Sequence, residues 1–134
     1  MSAPAGTSPE ETVSSLFQAF DALDIERAEA LFADDVQGVD ELSGGWRRGR
    51  DALHEYLQMI SSAGLSDVRS SLSDVHTTDW GDTSVLTAVL DQSYRMGAEA
   101  VSLHAPTTIV LRRQEGAWRI ALVHSVPLPE SETA

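Results

Sequence analysis

The sequence predicts an α+β domain in which helices come first and an antiparallel sheet follows. Before residue 63, apolar residues recur in segments at spacings of three and four, which is the period of an amphipathic helix. From residue 66 onward the spacing shifts toward two, the period of a half-buried strand, and short glycine-containing turns separate the segments. Helices that precede a meander of strands are typical of α+β domains.

The first helix is predicted from a capping sequence. Ser8 supplies a capping hydroxyl, Pro9 fits the first helical position, and Glu11 takes the third. Apolar side chains then follow at helical spacing as far as about Leu23, so one face of this helix is expected to pack against the core.

Two short elements and a third helix come next. Asp24 is predicted to cap a short second helix that continues through Phe32. Residues 36–40 are a strand candidate, and the glycines of residues 43–45 indicate a turn. An apolar stripe predicts the third helix over residues 50–62.

Four strands account for most of the remaining chain. They are predicted over about 67–77, 83–94, 99–113 and 117–125. The connections between them are short, so these strands are expected to form antiparallel hairpins. The length of 134 residues fits one domain. We expect that domain over residues 8–127, with a disordered segment 1–7 and a flexible tail 128–134.

Charge and composition exclude several classes of function. The net charge of −12 disfavours nucleic acids and anionic membranes as partners. Cysteine is absent, and the four histidines lie in separate elements without ligand spacing, so neither a metal site nor a cofactor is expected. The first residues do not resemble a signal peptide and no apolar run reaches membrane-spanning length, so a cytoplasmic location is expected.

Two stretches of the sequence carry a family resemblance. The first stretch contains FQAFDALD (17–24), ALFADD (30–35) and WRRGRDAL (46–53). The second contains TIVLRR (108–113) and GAWRIALVHS (116–125). Their order and spacing resemble the nuclear transport factor 2-like superfamily, and within it the SnoaL-like and ketosteroid isomerase-like proteins. The resemblance implies a strongly curved sheet that forms a cone with the helices around an internal pocket. Its members include isomerases, cyclases, dehydratases and binding proteins, so the fold alone does not decide the function.

Asp40 is the first candidate catalytic residue. In the ketosteroid isomerases that this stretch resembles, the general base falls at the position of Asp40. Their oxyanion hole has a tyrosine and a protonated aspartate, but these positions hold Leu16 and Thr108 here. Leucine donates no hydrogen bond, so steroid isomerisation by that route is not expected. The alternative reading of Asp40 is a solvated acid in an acidic turn.

His104 is the second candidate catalytic residue. It shares one face of its predicted strand with Thr108, whose family position faces inward, so His104 is expected to face the pocket. A neutral imidazole there would serve as acid, base or hydrogen-bond donor. A bulge at Pro106 would reverse this facing, and a surface or dimer-interface histidine is the alternative.

Further polar or aromatic side chains are candidates for binding a substrate, and they come from one predicted helix, three predicted strands and the segment after the turn at 43–45. Packing is the alternative for the two aromatic ones. Kinase association domains, which the C-terminal stretch also resembles, have arginines at two of these positions, and their absence disfavours an anionic ligand. The candidates are Trp46, Tyr56, Gln92, Thr108 and Ser125.

Three functions are compatible with the sequence. The first is a cofactor-free acid/base enzyme, an isomerase, cyclase or hydratase, acting on a small apolar or carbonyl-bearing molecule. The second is a pocket that binds a ligand without chemistry. The third is an assembly module, most simply a homodimer, formed through the outer face of the sheet with Trp118, Leu122 and His124.

Overall fold

The computed structural model describes residues 8–128. Within these residues the helices are α1 (Pro9–Asp21), α2 (Ile25–Glu29) and α3 (Arg50–Ser62). The strands are β1 (Phe32–Asp40), β2 (Arg47–Arg48), β3 (Leu65–Asp79), β4 (Thr83–Met96), β5 (Glu99–Gln114) and β6 (Ala117–Ser125). The segment 1–7 that we predicted to be disordered, and all but the first residue of the tail 128–134, lie outside the described residues.

The strands form one curved, open sheet in the order β2-β1-β6-β5-β4-β3. The long strands β3, β4, β5 and β6 pair as consecutive antiparallel hairpins, whereas β1 runs parallel to β6. This arrangement confirms the predicted α+β class. No helix among residues 8–128 has the length and hydropathy needed to cross a membrane.

Two bulges in β3 contribute to the curvature of the sheet. The register between β3 and β4 shifts twice, and a residue with positive φ lies within each shift: Asp67 at 54° and Asp74 at 52°. A bulge places an extra residue in one strand, which bends that strand and increases its twist. The sheet therefore curves around the helices, which pack against its inner face.

Helix α1 forms for the reasons that the sequence indicates. The Ser8 hydroxyl accepts a hydrogen bond from the backbone N–H of Glu11 at 3.1 Å. The apolar face of the helix buries Val13, Leu16 and Phe17 in the core. The helix ends at Asp21, two residues before the predicted end.

The second helix is shorter than predicted and the first strand is longer. Helix α2 ends at Glu29, and Phe32 already belongs to β1, where it pairs with Ile120 of β6. Phe32 is 2% exposed, and burial against the sheet outweighs its helical spacing from the preceding apolar residues. Asp34 and Asp35, predicted to end the helix, are exposed residues within β1.

A bulge in β6 determines which side chains face the core. Val110 of β5 pairs with Leu122, and the next residue, Leu111, pairs with Ile120, so Ala121 is an extra residue in β6. Simple alternation along β6 is therefore broken at this point.

Because of the bulge, the residues predicted to share the outer face of β6 do not all lie on one face. Trp118 is only 6% exposed and belongs to the hydrophobic core, so its expected place at a dimer surface is wrong. His124, beyond the bulge, is exposed as predicted, and Leu122 is half-buried. A dimer through this face remains a prediction.

Candidate functional site

A cavity of about 110 Å³ lies between the helices and the inner face of the sheet. All three helices contribute to its wall, together with strands from both ends of the sheet. An apolar cavity of about 150 Å³ binds benzene, and this space is smaller, so it accommodates one end of an organic molecule. Most of its wall is apolar, including Phe17, Phe20, Phe32, Leu53, Leu57 and Leu90.

Asp40 lines the cavity at the end of β1, where it is half-buried. Its Oδ1 atom accepts three hydrogen bonds, from the Tyr56 hydroxyl at 2.6 Å and from the backbone N–H groups of Leu42 at 2.9 Å and Ser43 at 3.0 Å. The shortest of these has the length of a charge-assisted O–H···O⁻ bond. Among residues 8–128, no donor bonds Oδ2.

Tyr56 comes from α3 and is 5% exposed. Burial in the cavity wall, and then the negative charge of Asp40, raise the pKa of its phenol, so the hydroxyl remains a hydrogen-bond donor at physiological pH. The Arg47 guanidinium lies 5.5 Å from the ring centroid and donates to the Ser43 carbonyl oxygen from Nε at 3.1 Å and Nη2 at 2.8 Å. Arg47 thus braces the turn whose backbone holds Asp40.

We expect Tyr56→Phe to lower the free energy of unfolding by about 1.5–3 kcal/mol, because it removes a hydrogen bond to a charged group. Urea denaturation measures this change. Tyr94→Phe is the matched control, since the Tyr94 hydroxyl donates over 3.3 Å and is expected to contribute less. Equal losses in the two variants would contradict the special role of the Tyr56–Asp40 bond.

Glu41 and Tyr94 form a second carboxyl–phenol contact on the same cavity. The Tyr94 hydroxyl donates to Glu41 Oε2 at 3.3 Å, and both residues line the cavity. Glu41 is exposed at the mouth, yet the surrounding protein desolvates its carboxyl enough to raise its pKa. The charge of Asp40 acts in the same direction. Burial, together with the charge of Glu41, raises the pKa of Tyr94 to about 12.

Gln92 and Ser125 also lie on the cavity wall. The Gln92 side-chain amide donates to Ser70 Oγ at 2.9 Å, and Ser125 Oγ shares a 2.8 Å hydrogen bond with Thr107 Oγ1. The structure therefore brings four of the sequence candidates to one cavity: Asp40, Tyr56, Gln92 and Ser125.

His104 does not line the cavity, contrary to its predicted facing. Its ring is exposed on the outer face of the sheet, with Nδ1 2.6 Å from Asp91 Oδ1 on the neighbouring strand. The β4–β5 register is continuous through Pro106, which lies just beyond the last residue pair between β5 and β6. Alternation is unbroken along this part of β5, so Ala105 and Thr107 share the inner face with the buried residues Ile109 and Leu111, and His104 points outward.

Thr108 and Trp46 lie outside the cavity as well. The inward position expected for Thr108 belongs to its neighbour Thr107, which is 2% exposed. Trp46 is 43% exposed, and its ring lies 5.9 Å from that of His124 on the outer side. Neither Thr108 nor Trp46 is in place to contact a molecule in this cavity.

Glu41, Tyr94 and Arg47 line the cavity but were not among the sequence candidates. Tyr94 had a signal, since it lies two residues beyond Gln92 on a strand and therefore shares its face. Strand alternation would point the Glu41 side chain away from that of Asp40. The place of Glu41 in the cavity depends on the turn after Asp40, which the sequence pattern did not predict. Among residues 8–128 there is no group of three or more side chains suited to hold a metal ion.

The fold and the cavity define a class of protein, a small α+β domain that encloses an apolar space with carboxyl groups at one end. The chain belongs to the SnoaL-like domain family, whose profile matches residues 10–129. This match confirms the resemblance seen in the sequence. No curated protein matches the chain significantly.

Several solved structures share the fold. A proposed dehydratase of the NTF2-like family from Streptomyces avermitilis has a TM-score of 0.78 at 21% identity, over 88% of this chain and 91% of that one. A proposed aromatic ring hydroxylase from Novosphingobium aromaticivorans has a TM-score of 0.81 at 18% identity, over 90% and 87%. A ketosteroid isomerase-like protein from Erwinia carotovora atroseptica has a TM-score of 0.72 at 18% identity, over 90% and 94%. At these identities the likeness concerns the fold.

Proposed function

We propose that this protein is a cofactor-free acid/base enzyme that moves a proton on a small, apolar, carbonyl-bearing molecule, with Asp40 as the base. The observation that carries the proposal is the geometry of the Asp40 carboxylate. Three donors fix Oδ1 in place, Oδ2 accepts no bond from residues 8–128, and Asp40 lines an apolar cavity. A base held in one orientation beside an apolar site suits removal of a proton next to a carbonyl group.

The cavity wall favours an uncharged substrate. Among the described residues that line it, Arg47 is the one cation, and its guanidinium already donates to the Ser43 carbonyl. An anionic substrate would meet the carboxyl groups of Asp40 and Glu41 with Arg47 as the one cation among the described lining residues to offset them, and burial of an unpaired charge is costly. Related folds named as a dehydratase and as ketosteroid isomerase-like support proton-transfer chemistry in such a cavity.

Exchange of α-protons tests this proposal without knowledge of the natural substrate. In deuterium oxide, the carboxylate would take a proton from the α-carbon of a ketone, exchange it with solvent and return a deuteron. We expect the protein to accelerate deuterium incorporation into cyclohexanone or 2-tetralone over buffer alone, as followed by proton NMR. Exchange no faster than buffer across a panel of neutral ketones would count against the enzyme.

A non-catalytic ligand-binding protein is the second candidate. Both cavity phenols donate to carboxyl groups, Tyr56 to Asp40 and Tyr94 to Glu41. Neither phenol therefore donates a hydrogen bond into the cavity, where it would stabilise the oxyanion of a reacting substrate. Calorimetric titration of the same ketones separates the two candidates. Saturable binding without exchange supports a carrier, and binding together with exchange supports the enzyme.

A further inference from the structure

Glu41 follows Asp40 in the sequence, and both side chains reach the cavity. In a regular strand, neighbouring side chains point to opposite faces. Here β1 ends at Asp40, and the chain turns at once, with the Ser43 N–H donating to the Asp40 carbonyl oxygen at 3.3 Å and to its carboxylate. The turn places two adjacent carboxyl groups beside one apolar space.

Each of these carboxyl groups has its own phenol donor from a different element. Tyr56 of α3 donates to Asp40 at 2.6 Å, and Tyr94 of β4 donates to Glu41 at 3.3 Å. Both tyrosines are 5% exposed, so their positions are set by packing. Asp40 also accepts two backbone N–H bonds and is the more firmly held of the two carboxyl groups.

We propose that Asp40 and Glu41 work as a pair that carries one proton between them, with Asp40 accepting a proton from carbon and Glu41 giving one to the carbonyl oxygen of an uncharged substrate. This inference rests on the proposed function and assigns Glu41 as a second catalytic residue. Tyr94 is a positioning residue, because it acts through Glu41. Two nearby carboxyl groups that share one proton are a general solution to like-charge repulsion.

The proposed step balances in protons and electrons. Asp40 Oδ2 removes the α-proton, the C–H electron pair forms the C=C bond of an enol, and the carbonyl π electrons take the proton from Glu41. Asp40 is then neutral and Glu41 is ionised. Return of the enol proton to Glu41 and of the Asp40 proton to the α-carbon regenerates the ketone, whereas its delivery to the γ-carbon of a dienol gives the isomer, and either path restores both groups. The pair keeps a net charge of −1 throughout, which limits the charge that the apolar cavity must stabilise.

The electrostatics of the cavity agree with this division. Burial is the main factor that raises the pKa of Glu41, and the charge of Asp40 adds to it. Bonds from the backbone and from Tyr94 oppose them. The proton is therefore held more tightly at Glu41 than at an ordinary glutamate. The titratable or charged groups that line the cavity with Glu41 are Asp24, Asp40, Arg47, Tyr56 and Tyr94.

Carboxyl titration tests the pair independently of any substrate. With ¹³C-labelled side chains, NMR is expected to show the pKa of Glu41 above the ordinary 4.5 in the wild-type protein. Asp40→Asn removes the neighbouring charge and should lower the pKa of Glu41. Tyr94→Phe removes a bond that favours the ionised form and should raise it. A Glu41 titration that does not move in Asp40→Asn would overturn the coupling.

The same shift predicts how stability depends on pH. A glutamate whose pKa is raised in the folded state binds its proton more tightly there than in the unfolded chain. Its stabilising contribution is complete below pH 4.5 and is lost as pH rises through the raised pKa. We therefore expect the Tm of the wild-type protein to fall relative to that of Glu41→Gln as pH rises above 4.5. Parallel Tm curves for the two proteins would contradict a raised pKa.

The exchange assay then separates the pair from the proposed function. If both are right, Asp40→Asn and Glu41→Gln each lose about 10²–10⁴-fold in exchange rate, as expected for a missing acid or base. If Glu41→Gln stays within about twofold of wild type while Asp40→Asn is inactive, the result supports Asp40 as the base and excludes Glu41 as its catalytic partner. If the wild-type protein catalyses no exchange, the proposed function falls, and the catalytic role of Glu41 falls with it.

Discussion

Replacing Asp40 with asparagine is expected to reduce ketone α-proton exchange by about 10²–10⁴-fold, the range for loss of a general base. Asparagine has nearly the same shape, and its carbonyl oxygen can still accept the bonds from Tyr56, Leu42 and Ser43 that Oδ1 accepts. It is not basic, however, so it cannot take a proton from carbon. Proton NMR in deuterium oxide measures the rate constant for exchange.

Asp91→Asn is the matched control for this substitution. Asp91 is an exposed carboxylate on the outer face of the sheet, where it pairs with His104. Its replacement removes the same charge from a protein of net charge −12 but leaves the cavity unchanged. We expect exchange within about twofold of wild type for a group this far from the reaction. An Asp40→Asn protein as active as Asp91→Asn would exclude Asp40 as the base.

Replacing Phe32 with alanine is expected to reduce the free energy of unfolding by about 3–5 kcal/mol, the usual cost of removing a buried phenylalanine ring. Phe32 is 2% exposed, belongs to the core cluster and begins the strand that ends at Asp40. The space left behind would join the cavity that Phe32 lines. Urea denaturation measures the loss.

Phe20→Ala provides the comparison for Phe32→Ala. Phe20 lines the same cavity but is only partly buried, so its removal should cost roughly half as much or less. Similar losses in the two variants would indicate that the core does not depend on Phe32 as the structure implies.

The local pattern of the sequence predicted most of the fold. The capped first helix, the third helix and the last four strands could be read from spacing and turn residues, because each depends mainly on its own residues. The parallel pairing of β1 with β6 could not be read in the same way. It depends on contacts between Phe32 and Ile120, which are distant in the sequence, and the adjacent acids Asp34 and Asp35 imitate a helix end.

The sequence predicted part of the site, because alternation groups the residues that share a face but does not say which face is inward. Gln92 and Ser125 were proposed for the cavity and line it, whereas His104 was assigned to the wrong face because its facing was inferred from Thr108, which does not line the cavity. Glu41 could not be found from the sequence, since its direction depends on the turn after Asp40. The place of the Glu41 carboxyl group beside the cavity was therefore known only from the three-dimensional structure.

A crystal structure of the protein with 2-tetralone tests most directly whether the cavity is the site of reaction. We predict that the aromatic ring of the ketone lies in the apolar cavity and that its α-carbon lies about 3–3.5 Å from Asp40 Oδ2, the distance of a reactive complex. The carbonyl oxygen should point toward Glu41. A ketone bound on the outer face of the sheet, with the cavity empty, would contradict the account.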